Sequence, residues 1–316
     1  MKLIINLPAF NEAAKIGETI RKIPRQINGV DEIFIQVIDD GSKDQTVQMA
    51  KEAGANEVFS HSLNRGIGIT FRTAVEKALE NGADIMVNMD ADGQFEAQDI
   101  EKLIQPIIEK RADLVSASRF GQKKASNMPQ VKYILNRAAA WIIGKFMNHP
   151  VDDLTCGFRA YSRESLLRLN LSGGFTYTQE VIIDAIGKNL KIEWIPTTVT
   201  YFGNRQSRVV KNVFNYVGNS GKIILKTVRD VRPMRFFGIP SLILIITSFV
   251  FFIYFLVMYL ETLKITPYRN IILLAITLFL VGIQFLIFAF IADMIKSTRK
   301  SIEDQTYLIK KEKYKK

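Results

Sequence analysis

Two long apolar stretches constrain this chain more than any other feature. Residues 237–260 read FGIPSLILIITSFVFFIYFLVMYL and residues 270–292 read NIILLAITLFLVGIQFLIFAFIA, and neither carries a charged side chain. At a rise of about 1.5 Å per residue, each can cross a hydrocarbon core of about 30 Å. A helix of that length in a soluble core would need a polar stripe or a charge facing outward. Both are therefore predicted to be transmembrane helices. Pro240 falls in the first turn of its helix, where a missing N–H costs little.

Basic residues near the helix ends set the expected orientation, because Lys and Arg resist translocation. The loop between the spans holds only Lys264 and Arg269. The tail holds Lys296, Arg299, Lys300, Lys310, Lys311, Lys313, Lys315 and Lys316, and Lys222, Lys226, Arg229, Arg232 and Arg235 precede the first span. Both termini are expected in the cytoplasm, in the cell membrane of a prokaryote. The apolar run at residues 3–7 is strand-length and meets a polar loop at once, so no signal peptide is expected. The lone Cys156 excludes an intramolecular disulfide and suits a reducing compartment. Much of the net charge of +11 lies beside the spans, where it suits anionic lipid headgroups. No basic motif interleaved with aromatics points to nucleic acid. Paired spans also offer a surface on which copies of the chain could associate.

Ahead of the spans, short β-rich runs alternate with helical patterns, the signature of a mostly parallel sheet covered by helices. Strands are expected at residues 3–7, 33–38, 57–59, 85–89 and 114–117, and helices near 13–22, 46–53, 69–80 and 99–110. After the strands come PAFNE (residues 8–12), DDGSKDQT (39–46), HSLNRG (61–66), DADGQ (90–94) and SRF (118–120). In an open parallel sheet, ligands bind in the crevice at the carboxyl ends of the strands, so five polar loops converge on one site. DDGS alone reads equally well as a helix cap, with Ser42 or Asp44 capping the helix that follows.

DADGQ carries more information. Asp90 and Asp92 end an apolar strand, and a two-residue spacing lets both carboxylates enter one turn beside Gln94. Like charges so close repel unless a cation lies between them. All-oxygen ligands favour Mg²⁺ or Mn²⁺, which keep positions open for substrate phosphates. Other nucleotide folds fit less well. The nearest approach to GxGxxG is Gly66 and Gly68 after the third strand, with Phe71 at the last glycine position, and no Walker A loop occurs. His61 and His149 lack partners at metal-ligand spacing.

The succession PAFNE, DDGSKDQT, NRGIG, DADGQ, SRF and DDLTCGFRAY, followed by membrane helices, resembles the family 2 glycosyltransferases of GT-A fold. Within them it is most similar to the polyprenyl-phosphate glycosyltransferases, the group of dolichyl-phosphate mannose synthase. The resemblance spans residues 2–235 and implies an α/β, Rossmann-like domain. It places Pro8, Ala9, Phe10 and Glu12 around the nucleotide base, with Ala91 in the same donor site. It gives Asp40 to the base or ribose, and Asp90, Asp92 and Gln94 to the metal and diphosphate. Arg119, Arg137, Arg205, Ser207 and Arg208 fall on the acceptor-phosphate side. Two departures stand out: Phe10 replaces the usual Tyr, and NRQSR at residues 204–208 replaces Arg, a Gly, then Ser-Lys. Processive synthases carry QxxRW, whereas neither Trp141 nor Trp194 follows an Arg, so a single transfer is expected.

The chemistry suits these residues. A departing nucleoside diphosphate gathers negative charge that a cation on Asp90 and Asp92 offsets. A phosphate monoester with a second pKa of about 6 is mostly ionised at pH 7. It needs no base, only cationic positioning by forked donors such as Arg119, Arg137, Arg205 and Arg208. Asp153 is open between orienting the acceptor, acting as a base and capping the next turn. Apolar Val210, Val213, Val217, Ile224, Val228 and Val231 at helical spacing, against Lys222, Lys226 and Arg229, read as amphipathic juxtamembrane helices. The expected organisation is a cytosolic GT-A domain at residues 1–208, juxtamembrane helices at 209–236, a transmembrane hairpin at 237–292 and a basic cytosolic tail at 293–316. The expected activity is inverting transfer of one sugar from a nucleotide-sugar, UDP-linked ahead of GDP-mannose, to a membrane polyprenyl phosphate at the cytoplasmic face, within cell-envelope glycan synthesis. An idle membrane subunit bound to a partner synthase and a membrane-anchored nucleotidyltransferase are the alternatives, and no Gly-rich triphosphate loop supports the latter.

Overall fold

A computed structural model of the chain describes residues 1–120, 130–171, 177–197, 199 and 213–315. The elements run β1 (Lys2–Ala9), α1 (Ala13–Lys22), β2 (Glu32–Asp39), α2 (Thr46–Glu52), β3 (Glu57–Ser60), α3 (Ile67–Glu80), β4 (Ile85–Asn88), α4 (Asp99–Ile108) and β5 (Leu114–Ser118). They continue as α5 (Gln130–Met147), β6 (Arg159–Ser162), α6 (Arg163–Arg168), α7 (Thr178–Gly187), β7 (Ile192–Pro196), α8 (Val213–Val231), α9 (Pro233–Thr262) and α10 (Arg269–Lys313). The first five strands and first four helices lie where the hydrophobic pattern predicts them.

One sheet orders the strands β3-β2-β1-β4-β6-β5-β7. β1 is central and covered on both faces, so Leu3, Ile4, Ile5 and Leu7 are all fully buried and the run reads apolar without alternation. β1 to β4 are mutually parallel, with Ala9 opposite Asp39 and Asn6 opposite Asn88. β6 is the exception: it runs antiparallel to both β4 and β5, with Arg159 opposite Asn88 and Ser116. The reversal brings the segment before β6 to the edge where β1, β2 and β4 end. Four residues with an arginine among them give β6 no periodicity to read, and β7, IEWIP, is equally short.

The chain forms two compact units, Met1–Ile224 with Gln305–Lys316, and Leu225–Asp304. The second holds α9 and most of α10, both long and apolar enough to cross a membrane. Its helices meet along small residues. Ser241 and Ser248 of α9 donate hydrogen bonds to the carbonyls of Gly282 and Ala275 of α10, both at 2.8 Å. The buried positions of α10 are Ala275, Gly282 and Ala289, spaced by seven, the period that keeps one seam facing a partner helix. A Cβ on Gly282 would lie 2.7 Å from Ile245 Cγ1. Gly282→Leu should therefore force the helices apart and cost about 1–3 kcal/mol; a fall in the thermal unfolding midpoint in detergent, with Gly238→Leu in open space as the mild control, measures it.

Candidate active site

The donor side of the cleft is built by two loops laced together. After β1 the chain turns at Asn11, whose φ is +52. The Asn11 amide donates to Ser42 Oγ at 2.8 Å, the Glu12 amide to Thr46 Oγ1 at 2.8 Å and the Ala13 amide to Asp44 Oδ2 at 3.2 Å, while Asn11 Oδ1 accepts from the Lys43 amide at 2.8 Å. Gln45, which precedes α2, gives it no side-chain cap, but Asp44 Oδ1 accepts from the Thr46 amide at the first turn of α2 at 3.1 Å. Asp44 thus also serves the first amide of α1, and Ser42 holds the turn just before it. Pro8 and Ala9 close β1, and Phe10 and Glu12 are half-buried beyond it. Gly41 has φ +77, and a Cβ there would meet Leu63 backbone at 2.8 Å, so only glycine lets the loop after β3 approach so closely.

Asp40 corrects the sequence reading. It is buried, and its carboxylate accepts from His61 Nδ1, the Arg65 amide and the Gly66 amide, each at 2.9 Å. The side chain expected on the base or ribose is spent on holding the loop ahead of α3. Burial pushes the Asp40 pKa up, but the His61 bond, the two amides and Thr70 outweigh it and hold the carboxyl below its ordinary value. An ionised Asp40 accepts from the Nδ1–H of His61, whose Nε2 lies 3.0 Å from Thr73 Oγ1. His61 has a structural partner that its sequence spacing could not reveal.

Beyond β4, Asp90 and Asp92 are both half-buried in the turn that Gly93 completes at φ +73. Asp92 Oδ1 accepts from the Gln94 amide at 3.0 Å. Ala91 is buried, and its carbonyl accepts from Thr19 of α1 at 3.1 Å. Gly157 faces Asp90, where a Cβ would lie 3.2 Å from the Tyr177 hydroxyl and 3.4 Å from Asp90 Oδ1, so a larger residue would crowd the carboxylate. Among the described residues, no group of three or more His, Cys, Asp or Glu is placed to hold a metal by itself.

Beneath this turn lies a polar layer that the sequence reading missed. Asn6 Nδ2 donates to Asn88 Oδ1 at 2.6 Å, and Gln36 Nε2 donates to Asn6 Oδ1 at 3.0 Å. Asn88 Nδ2 bonds the Gly157 carbonyl at 3.1 Å and the Tyr177 hydroxyl at 2.8 Å. Tyr177 stacks on Phe71 with ring centroids 4.0 Å apart. Arg159 is fully buried and binds Ser116 Oγ, the Thr178 carbonyl at 2.7 Å and the Leu154 carbonyl at 3.1 Å. It ties together the segments on either side of the cleft floor. The available signal was three amide side chains inside strands that are otherwise apolar, since a buried amide must find partners.

Asp153 and Arg119 form a buried pair. Asp153 is 0% exposed. Its Oδ2 accepts from Arg119 Nε at 2.7 Å and its Oδ1 from Arg119 Nη2 at 2.7 Å, a two-pronged pair. Oδ1 also accepts from the Thr155 and Cys156 amides at 3.0 and 3.2 Å. Burial works to raise the Asp153 pKa, yet the Arg119 charge and these bonds keep it below its ordinary value. A carboxylate so enclosed holds an arginine and caps a turn; it has no open face for a substrate proton. Arg119 is buried, bonded also to Thr155 and packed over the Phe120 ring at 5.6 Å. Burial pushes the neighbouring Cys156 thiol up to about 12, consistent with a small filler. Arg137 is exposed on α5. Arg205, Ser207 and Arg208 lie outside the described residues.

A family model described as Glycosyl transferase family 2 matches residues 4–169, more than half of the chain. The chain belongs to this family. Among curated relatives of this glycosyltransferase, UDP-N-acetylglucosamine–dolichyl-phosphate N-acetylglucosaminyltransferase of Methanococcus voltae is 33% identical over 62% of this chain and 84% of its own length. Glycosyltransferase AglJ of Haloferax volcanii is 28% identical and covers 93% of both chains. Polyprenol monophosphomannose synthase of Mycolicibacterium smegmatis is 26% identical over 63% of this chain and 77% of its own. Among solved structures, glucosyl-3-phosphoglycerate synthase of Mycobacterium tuberculosis, in complex with Mn²⁺, UDP and glucosyl-3-phosphoglycerate, superposes with a TM-score of 0.56 at 22% identity, covering 73% of this chain and 79% of that one. That likeness shows the GT-A fold.

The depressed Asp40 pKa fixes the sign of a pH effect. An acid whose folded pKa is lowered stabilises fully above its unfolded pKa, about 4, and the gain is lost as pH falls through the folded value. The excess unfolding temperature of the native chain over Asp40→Asn should therefore be complete at neutral pH, begin to fall below about pH 4 and be lost only as the pH passes through the lowered folded value. Calorimetry of both proteins across that range checks it.

Proposed function

We propose that this glycosyltransferase moves one sugar from a nucleotide-sugar, UDP-linked ahead of GDP-linked, to a polyprenyl phosphate held in the membrane, with inversion. The observation that carries the reading is the meeting of the Asp90–Asp92 turn with the segment bearing Asp153, Gly157 and Arg159 at one sheet edge. The curated relatives named for polyprenyl and dolichyl acceptors, and for a UDP-linked donor, support the same choice.

In this reading Pro8, Ala9, Phe10 and Glu12 line the base, and Asp40 acts one step removed by fixing the loop at Arg65 and Gly66. Asp90 and Asp92, with Gln94 beside them, would hold a divalent cation. Two half-buried carboxylates in one turn fit Mg²⁺ or Mn²⁺, which binds through one or two carboxylates and completes its shell with waters and substrate phosphates. Bound there, the ion supplies charge neutralisation for the departing diphosphate. Arg119 offers its guanidinium to the acceptor phosphate, and Asp153 is a positioning residue that locks the guanidinium plane. An ionised phosphate oxygen attacks the anomeric carbon as the bond to the diphosphate breaks. Arg137, Arg205, Ser207 and Arg208 complete the acceptor side.

A membrane acceptor requires the cleft to work at a bilayer. The two apolar helices provide the anchor, and their flanking Lys and Arg support a cytoplasmic side for both termini. α5 adds a second attachment: Trp141 is 65% exposed, Ile134 61% and Ile142 56%, on one helix face that also carries Arg137 and Lys145. The helix QVKYILNRAAAWIIGKFM contains no acid. An exposed apolar stripe with basic flanks and a tryptophan is suited to the headgroup boundary.

Asp92→Asn should lower transfer on the order of 10²–10³-fold while the unfolding midpoint stays within a degree or two of the native one. The assay offers radiolabelled UDP- and GDP-sugars with short polyprenyl phosphates and follows label into the organic phase. Full turnover in excess EDTA, or by Asp92→Asn, would count against this reading. Replacing Trp141 and Ile142 together by Ser should leave nucleotide binding intact and reduce transfer to acceptor in vesicles on the order of tenfold. Unchanged transfer by that double variant would remove α5 from the membrane.

A further inference from the structure

The final residues 305–316 read QTYLIKKEKYKK, a basic end that composition alone would give to lipid headgroups. They are instead helical to Lys313 and group with the catalytic unit. Tyr307, Lys310, Lys311 and Tyr314 share one helix face by their spacing, and that face meets α6. The Tyr307 hydroxyl donates to Glu164 Oε2 at 3.0 Å. Arg168, paired with Glu164 Oε1 at 2.6 Å, covers the Tyr307 ring at 4.5 Å. Lys310 Nζ donates to the Leu169 carbonyl at 2.9 Å and to Asn170 Oδ1 at 3.2 Å. Arg163 bridges the Ala83 carbonyl, at 2.9 Å, and the Tyr314 carbonyl. A cleft of about 600 Å³ lies beside this contact, lined by Glu80, Asn81 and Gly82 after α3 and by Lys313, Tyr314 and Lys315.

The position of α6 says what such a contact can do. β6 is antiparallel, and Ser162, its last residue, pairs with Ile85, the first residue of β4. α6 therefore starts at the rim of the sheet away from Asp90. The tail cannot touch substrate from there, so its role is attachment.

We propose that Gln305–Lys316 is a clasp acting in cis, a segment that follows the second apolar helix and locks onto α6 so that the catalytic unit is tied at two points. The chain leaves this unit after Ile224 and rejoins it at Gln305. One link would leave the unit free to swivel, whereas a second restricts it and raises the effective concentration of the cleft at an acceptor that cannot leave the bilayer. The benefit to transfer rests on the proposed reaction; the clasp itself does not.

The test uses the full chain in lipid nanodiscs. Glu80→Cys with Lys315→Cys changes two side chains that line the cleft without removing Tyr307, Lys310 or Arg163, and the lone native Cys156 is buried. A short bis-maleimide should link the two new thiols within one chain, read by mass spectrometry, whereas Lys43→Cys with Lys315→Cys should give no link. Lys310→Glu should lower the unfolding midpoint of the catalytic unit, and it should reduce transfer into membrane-held polyprenyl phosphate on the order of tenfold at unchanged Kd for UDP with Mn²⁺. Lack of the Glu80→Cys to Lys315→Cys link, or a Lys310→Glu protein with native midpoint and native transfer, overturns the clasp. The link and the midpoint are read without any sugar transfer, so they stand or fall apart from the proposed reaction.

Discussion

Parallel pairing of β1, β2 and β4 is the constraint on which the rest depends. Strands that run the same way end at the same edge, and a chain that must return to start each new strand leaves its turn there. The PAFNE, DDGSKDQT and DADGQ loops are neighbours for this reason, although up to 85 residues separate Asn6 from Ala91. One reversal completes the site. Because β6 runs against β4, the segment from Asp153 to Phe158 arrives at that edge from the other side, and Gly157 comes to face Asp90.

Much of the polar chemistry near the cleft serves geometry before catalysis. Asp40 and Asp153 are both buried carboxylates that stay ionised because amides, His61 or Arg119 meet their oxygens. Burying a charge without such partners would cost several kcal/mol, so each carboxylate fixes the groups around it. Asp40 fixes a loop, and Asp153 fixes an arginine. Asp90 and Asp92 differ from them in being only half-buried. The layer of Asn6, Gln36, Asn88 and Tyr177 extends the same economy of partners under the site, linking the donor-side strands to Gly157.

The apolar part of the molecule obeys other rules. Lipid gives helices no hydrophobic reason to associate, so close approach of backbones and hydrogen bonds between helices must hold them. Ser241, Ser248, Ala275 and Gly282 supply both along one seam. Aromatic edges from Phe237 on Phe285, and Phe249 on Phe279, fill the space beside it. The exposed apolar stripe of α5 and the end of α10 on α6 are the two further attachments proposed above.

The sequence by itself determined the two apolar helices, the class of the sheet, its first five strands and the polar loops that follow them. Those features are local: hydrophobic period, charge-free length and turn chemistry are written within a few residues of where they act. Motif order was enough to indicate family 2. Tertiary structure alone decided the direction of β6, the burial of Asp153 against Arg119 and the diversion of Asp40 to His61 and the loop ahead of α3. It alone seated Tyr307 and Lys310 on α6, where composition suggested lipid. In each of these cases the deciding partner lies more than 20 residues away along the chain. A side chain's type says what it can bond, but which partner it meets depends on long-range folding that brings distant segments together.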